Sequence, residues 1–129
     1  MSLLLDTHIA IWLLNEPRKL PPRIRGLFEA GDEQAFVSHV SLWEIAMKHP
    51  LRRNDAPPQS AQDTARDLLA SGVGFLPLEI SHIFAFEQLP RLQGDPFDRL
   101  LVAQALCEGM RLITRDKRLA AYSEFVISW

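Results

Sequence analysis

Short, wholly apolar runs alternate along this chain with stretches of helical periodicity, and the links between them are brief. A strand that is followed by a helix and then by another strand runs parallel to the first, so most of the strands must share one direction. Parallel strands are stable only with both faces covered. The pattern therefore predicts an α/β fold with a mostly parallel central sheet of four to five strands flanked by helices.

Residues 2–5 read as a fully buried strand, and residues 7–14 as a short helix stopped by Pro17. Pro21-Pro22 start a second helix that ends near Gly31, and residues 35–38 form strand two. Residues 41–49 make a helix halted by Pro50. Residues 52–59, closing on Pro57-Pro58, are the one linker-like stretch and the least ordered expectation. Ser60 and Asp63 have capping-box spacing for a helix with Ala61, Ala65, Leu68 and Leu69 on one face, and residues 73–78 form strand three. A helix follows over residues 81–88. Residues 97–108 are apolar nearly all round except Arg99 and Gln104, which places that helix centrally, on the sheet and beneath other elements. Residues 111–114 and 125–128 complete the strands.

With 129 residues and 47% apolar content, the chain can bury one sizeable core, so residues 1–129 are read as a single domain. Its formal charge of -2 supplies no global attraction for a polyanion, and any nucleic-acid contact must use local basic patches. Cys107 is the sole cysteine, which excludes an internal disulfide and reads as a small core residue. The start of the chain has no basic segment of a signal peptide, and no apolar run approaches the ~20 residues of a membrane span. A cytoplasmic location is the default expectation.

Four acids stand where one element gives way to the next: Asp6, Glu44, Asp98 and Asp116. In open parallel sheets, ligands collect beyond the carboxyl ends of the strands, near the point where strand order reverses. Asp6 and Asp116 lie just past such ends, while Glu44 and Asp98 fall in the opening turns of helices that reach the same crevice. Helix capping explains each acid singly as well as ligation does: Glu44 completes Ser41-Leu42-Trp43-Glu44, Asp95-Pro96-Phe97-Asp98 reads as N-cap, N1 and N3, and Asp116 caps the turn at Lys117. Magnitudes separate the two readings once the acids meet. A cap contributes about 1 kcal/mol, whereas two carboxylates ~4 Å apart repel by roughly 4 kcal/mol at intermediate dielectric. A shared crevice therefore calls for a cation. All-oxygen ligands favour a hard ion, Mg2+ or Mn2+, and such a site suits phosphodiester hydrolysis. Arg99, Arg115, Lys117 and Arg118 surround the acids and read either as backbone contacts or as solvated surface charge.

Several motifs then stand in order: Asp6-Thr7-His8 with Trp12; Trp43-Glu44-Ile45 with Lys48; Asp95-Pro96-Phe97-Asp98-Arg99-Leu100-Leu101 with Ala103-Gln104-Ala105; and Thr114-Arg115-Asp116. Together they resemble a PIN-domain ribonuclease of the VapC toxin type, over nearly the whole length. The resemblance implies a PIN-like three-layer sandwich and a Mg2+-dependent endoribonuclease toxin of a type II toxin–antitoxin system. It also implies inhibition by a small cognate VapB-type antitoxin, and commonly a homodimeric toxin. It assigns Asp6, Glu44, Asp98 and Asp116 as catalytic metal ligands, gives the Thr114 hydroxyl a supporting role, and leaves Asp95 structural. Two departures bear on RNA contacts rather than on the acids: Leu92-Gln93-Gly94 stands where the family often has histidines, and Pro50 interrupts a usually basic stretch.

Other residues carry alternatives. His8 reads as a surface residue before a ligand, and Trp12 and Trp43 as largely buried core before base-stacking platforms. Phe84, Phe86 and Leu89 mark either an interface or plain core. A haloacid-dehalogenase-type phosphatase would want an Asp at the position of His8, and a phospho-receiver would want one near Leu78-Glu79-Ile80, so neither fits. A PIN nuclease of another class, or a non-catalytic metal-stabilised interaction module, stays open.

Overall fold

The structure, a computed structural model, describes residues 2–92 and 94–129; Gln93, within the Leu92-Gln93-Gly94 departure, lies outside them. The strands are β1 Leu3–Leu5, β2 Ala35–Ser38, β3 Gly74–Leu76, β4 Arg111–Ile113 and β5 Val126–Ile127. The helices are α1 Thr7–Asn15, α2 Pro22–Glu29, α3 His39–Lys48, α4 Ala61–Ala70, α5 Ile80–Gln88 and α6 Pro96–Glu108. All five strands are parallel, in the order β3-β2-β1-β4-β5. The expected α/β sandwich is present, and its sheet is parallel throughout.

Strand β1 shows why an unbroken Leu run belongs at the centre. Leu3 and Leu5 point into one core with Ile9 of α1, Ile24 of α2 and Leu68 of α4, while Leu4 points into the other with Leu101, Val102 and Ala105 of α6. Alternation along a strand thus feeds both layers at once. Leu4 pairs with Phe36 on one side and Leu112 on the other, so β1 is the middle strand. The chain leaves β1 first toward β2 and β3 and later toward β4 and β5. Strand order therefore reverses beside β1, and the crevice there opens past its last residue, Leu5.

Local chemistry sets the helix ends. Ser60 Oγ accepts from Asp63 N at 3.1 Å, and Pro22 occupies the first turn of α2. Gly109 closes α6 at φ 64°, a left-handed conformation suited to glycine. Helix α3 begins earlier than expected: Ser38, not Ser41, is the cap, accepting from Val40 N at 3.0 Å. Glu44 consequently stands in the second turn of α3 and is no partner in a capping box.

Four burial expectations are corrected. The inward face of α3 is Val40, Ser41, Glu44 and Ile45, so Trp43 points out, 56% exposed and edge-on to Phe97 at 5.1 Å. Trp12 is half-buried rather than core. Leu69 lies one position round from the buried Leu68 and is exposed. Cys107 sits in the last turn of α6, past its buried run from Leu101 to Ala105, and is exposed. On α5, Phe84 is exposed with Ile80 and Ile83, while Phe86 is half-buried under the Arg99 guanidinium at 4.6 Å. Among the described residues no helix is long and apolar enough to cross a membrane.

Candidate active site

Asp6 follows β1, Asp116 follows β4, Glu44 hangs from α3, and Asp98 sits in the first turn of α6. All four line one cavity of about 370 Å3, together with His8, Trp12, Lys48, Asp95, Arg115 and Arg118. Residues separated by up to 110 positions in sequence are thus brought together at the carboxyl ends of the central strands.

Each acid is held by named partners. The Thr114 hydroxyl donates to Asp6 Oδ2 at 2.6 Å and accepts from Asp116 N at 3.1 Å, so one buried side chain on the β4 side positions two of the acids. The Thr7 hydroxyl donates to Glu44 Oε1 at 2.6 Å and lies 2.9 Å from Ser41 Oγ. Lys48 Nζ donates to the other oxygen of Glu44 at 2.6 Å. Arg118 grips Asp116 with two hydrogen bonds, at 3.0 and 2.8 Å, and a third comes from its own backbone N–H. Asp95 caps α6 by accepting from Asp98 N at 2.8 Å.

The electrostatics mark a site short of positive charge. Burial, then the charges of Asp6, Asp95, Glu44 and Asp116, push the Asp98 carboxyl up to about 8. Burial also raises Asp6, against the lowering effect of the Thr114 hydrogen bond. The Arg118 hydrogen bond holds Asp116 below the ordinary carboxylate range, and the Glu44 hydrogen bond raises Lys48. Five carboxyls face three cationic side chains in the cavity wall, so full ionisation of the acids leaves two negative charges unmatched, and the raised Asp98 and Asp6 reflect that shortage. A hard divalent ion fits that deficit and that donor set. Among the described residues, no three of these groups already stand at coordination distance from a common point. Lys48 and Arg118 draw Glu44 and Asp116 to themselves instead.

The family model for the PIN domain matches residues 3–124. The chain belongs to the PIN-domain family. Within it, the chain is 33% identical over 124 residues to Ribonuclease VapC22 of Mycobacterium tuberculosis, covering 94% of this chain and 92% of that one, which makes it a PIN domain of the VapC type. The solved structure of VapBC2 from Rickettsia felis bound to a promoter DNA fragment matches with a TM-score of 0.74 at 17% identity, covering 100% of this chain and 99% of that one. DNA-bound VapBC from Salmonella typhimurium matches at 0.72 and 16% identity, covering 100% and 98%. Identities this low speak for the fold alone.

In this PIN domain Arg99 is placed away from the acids, unlike Arg115. Its guanidinium donates to Tyr122 Oη at 3.0 Å and covers Phe86, because its position on α6 faces the Lys117–Ala121 turn rather than the cavity. Thr7, Ser41 and Lys48 join the site without having been assigned to it, and Arg118, expected as a backbone contact or surface charge, holds Asp116 instead. For Lys48 a signal was present, since Glu44 and Lys48 have i, i+4 spacing. Asp95 also lines the cavity while acting as a cap. Asp95→Ala should therefore lower stability by about 1 kcal/mol, read from urea unfolding, and an unchanged midpoint would mean the cap is idle.

Proposed function

We propose that the chain is a Mg2+-dependent endoribonuclease and the toxin of a type II toxin–antitoxin pair. The observation that supports this reading most is the meeting of Asp6, Glu44, Asp98 and Asp116 in one cavity of a VapC-type PIN domain. Asp6 and Asp98 are the central ligands, with Glu44 and Asp116 completing the set when Lys48 and Arg118 swing away. When bound, Mg2+, or Mn2+ in its place, supplies Lewis acidity toward a phosphoryl oxygen and a water acidic enough to act as nucleophile. The rest is done by protein groups. Thr114 keeps Asp6 aimed into the cavity, and Thr7 does the same for Glu44. Lys48, Arg115 and Arg118 are the cations at hand to receive the RNA backbone once Glu44 and Asp116 turn to the ion.

A VapB-type antitoxin, a homodimer and a cytoplasmic location complete the reading, with residues 1–129 acting as a single domain. The matched solved structures are of VapBC assemblies, and the exposed Ile80, Ile83 and Phe84 on α5 offer apolar surface for a protein partner.

The test is cleavage of RNA by purified protein with mapped cut sites, in Mg2+, in EDTA and after Mn2+ is added back. Cuts that need the ion, with growth arrest on expression and relief by the cognate antitoxin, are expected. Stabilisation by Mg2+ without any RNA cleavage would instead indicate a non-catalytic metal-stabilised module.

A further inference from the structure

A second cavity, of about 530 Å3, opens beside the acidic one and shares His8, Trp12, Glu44 and Lys48 with it. One wall is α1, through Trp12 and Asn15, with Lys19 of the Pro17–Lys19 turn that follows it; the opposite wall is the loop carrying Asn54 and Asp55. That loop is tied back where the His49 ring nitrogen Nδ1 meets the Pro57 carbonyl at 2.8 Å. We infer that this cavity is a nucleobase subsite, in which Trp12 is the stacking platform and Asp55 reads the base edge. The inference rests on the ribonuclease reading and adds where, and how, that enzyme would select its RNA.

The charge pattern favours a neutral, planar occupant. Glu16 pairs with Lys19 at 2.6 Å and Glu44 with Lys48 at 2.6 Å, so among the lining carboxylates Asp55 is the one without a cationic partner. A phosphate is repelled by Asp55, whereas a base is not. Trp12 packs its inner edge against the core and is only half-buried, which holds the ring rigidly at the junction of the two cavities. Lys19 Nζ lies 5.3 Å and the Arg115 guanidinium 5.9 Å from its centroid. Both cations are exposed, and an exposed cation–π contact is weaker than base stacking, so a base can take the ring face and leave them to the flanking phosphates. One nucleotide then sets its phosphate at the acids and its base on Trp12. A cavity of this size is in the range that holds a small ligand. A carboxylate at Asp55 only accepts hydrogen bonds, and an exocyclic amino group offers it two N–H donors where uracil offers the single N3–H, so amino-bearing bases, adenine and cytosine among them, are preferred over uracil.

The experiment titrates labelled octaribonucleotides of A, C or U, and an abasic ribose-phosphate octamer, with the full chain in EDTA and again in Mg2+, while cleavage is read separately on gels. The A and C octamers should bind about tenfold tighter than the abasic one, with U between. Trp12→Ala should erase the difference, Trp12→Phe should keep most of it, and Asp55→Asn, in an exposed loop, should bring U level with A and C. Equal binding of abasic and base-bearing octamers to the unaltered protein overturns the inference, as does base preference untouched by both Trp12→Ala and Asp55→Asn. Cleavage without base preference sinks the subsite and leaves the ribonuclease reading standing. Base preference without cleavage does the reverse. An oligo-arginine peptide that binds in a Trp12- and Asp55-dependent way, with no base preference, assigns the cavity to a protein partner and also overturns it.

Discussion

Asp98→Asn should abolish RNA cleavage while leaving the metal-free protein folded and no less stable. An outer-shell partner of a metal ligand is worth roughly 10–100-fold in activity, so loss of a direct ligand should exceed that range. The fold should survive because the structural work at this helix start is done by neighbours. Asp95 caps α6 through the Asp98 backbone N–H, which an asparagine retains, and Pro96 fixes the first turn. Stability should not fall, because the substitution removes a carboxyl that burial, and then the neighbouring acids, already push up to about 8. Asp6→Asn should be as inactive, with Thr114 still able to donate to the amide oxygen. Cleavage assays beside thermal melts in EDTA check both halves. Undiminished cleavage by either variant would sink the assignment, and a collapse in melting temperature would make these acids structural.

Much of the fold could be read from residue order because it rests on short-range rules. Leu3-Leu4-Leu5 has no polar position to give to solvent and is too short for a helix before Asp6 opens the next one, so it reads as a strand covered on both faces. Asp95-Pro96-Phe97-Asp98 carries its own helix start, and Ser60 with Asp63 does the same for α4. The start of α3 was not legible in this way. Ser38 and Ser41 both offer a capping hydroxyl, and the choice depends on where β2 stops pairing with its neighbours, which is a long-range fact. Trp43 and Cys107 are exposed against the sequence pattern for a related reason. Periodicity identifies an apolar stripe without saying how much of it the rest of the fold reaches, and α3 turns inward through Ser41 and Glu44 in place of its largest apolar residue.

The acids were legible as a group, and their partners were not. Capping and ligation compete for the same residues when the chain is read alone, and the structure shows the two roles coexisting: Asp116 caps a turn and Asp95 caps α6 while both line the cavity. What could not be read is which cation each acid would hold. Arg99 stands next to Asp98 in sequence yet serves Tyr122, whereas Arg118 reaches back to Asp116 because the turn at Lys117–Ala121 folds it over. Adjacency in sequence on a helix points side chains about 100° apart, so a neighbouring charge is a poor guide to a shared site.

The contribution of Asp98 to the stability of the metal-free protein should fall as pH rises from about 4 to about 8, and Mg2+ should restore it most strongly at the upper end. An ordinary carboxyl titrates at 3.8, and folding raises Asp98 to about 8. Below the lower value both states hold the proton, and the raised pKa has no effect. Between the two values the unfolded chain has released its proton while the folded protein keeps it, so raising the pH favours unfolding. Above about 8 both forms are ionised and the loss levels off. Asp6, also raised by burial, acts in the same direction. Divalent ions need the ionised carboxylate, so Mg2+ affinity should climb by up to about tenfold per pH unit below 8, for one displaced proton, and flatten above it. Thermal melts from acidic to mildly alkaline pH, with and without Mg2+, read both trends. The difference between the unaltered protein and Asp98→Asn isolates this carboxyl from every other titrating group. A difference that stays flat across the interval would show that Asp98 is ionised without strain, and the deficit of positive charge that argues for a bound ion would have to lie with the other acids.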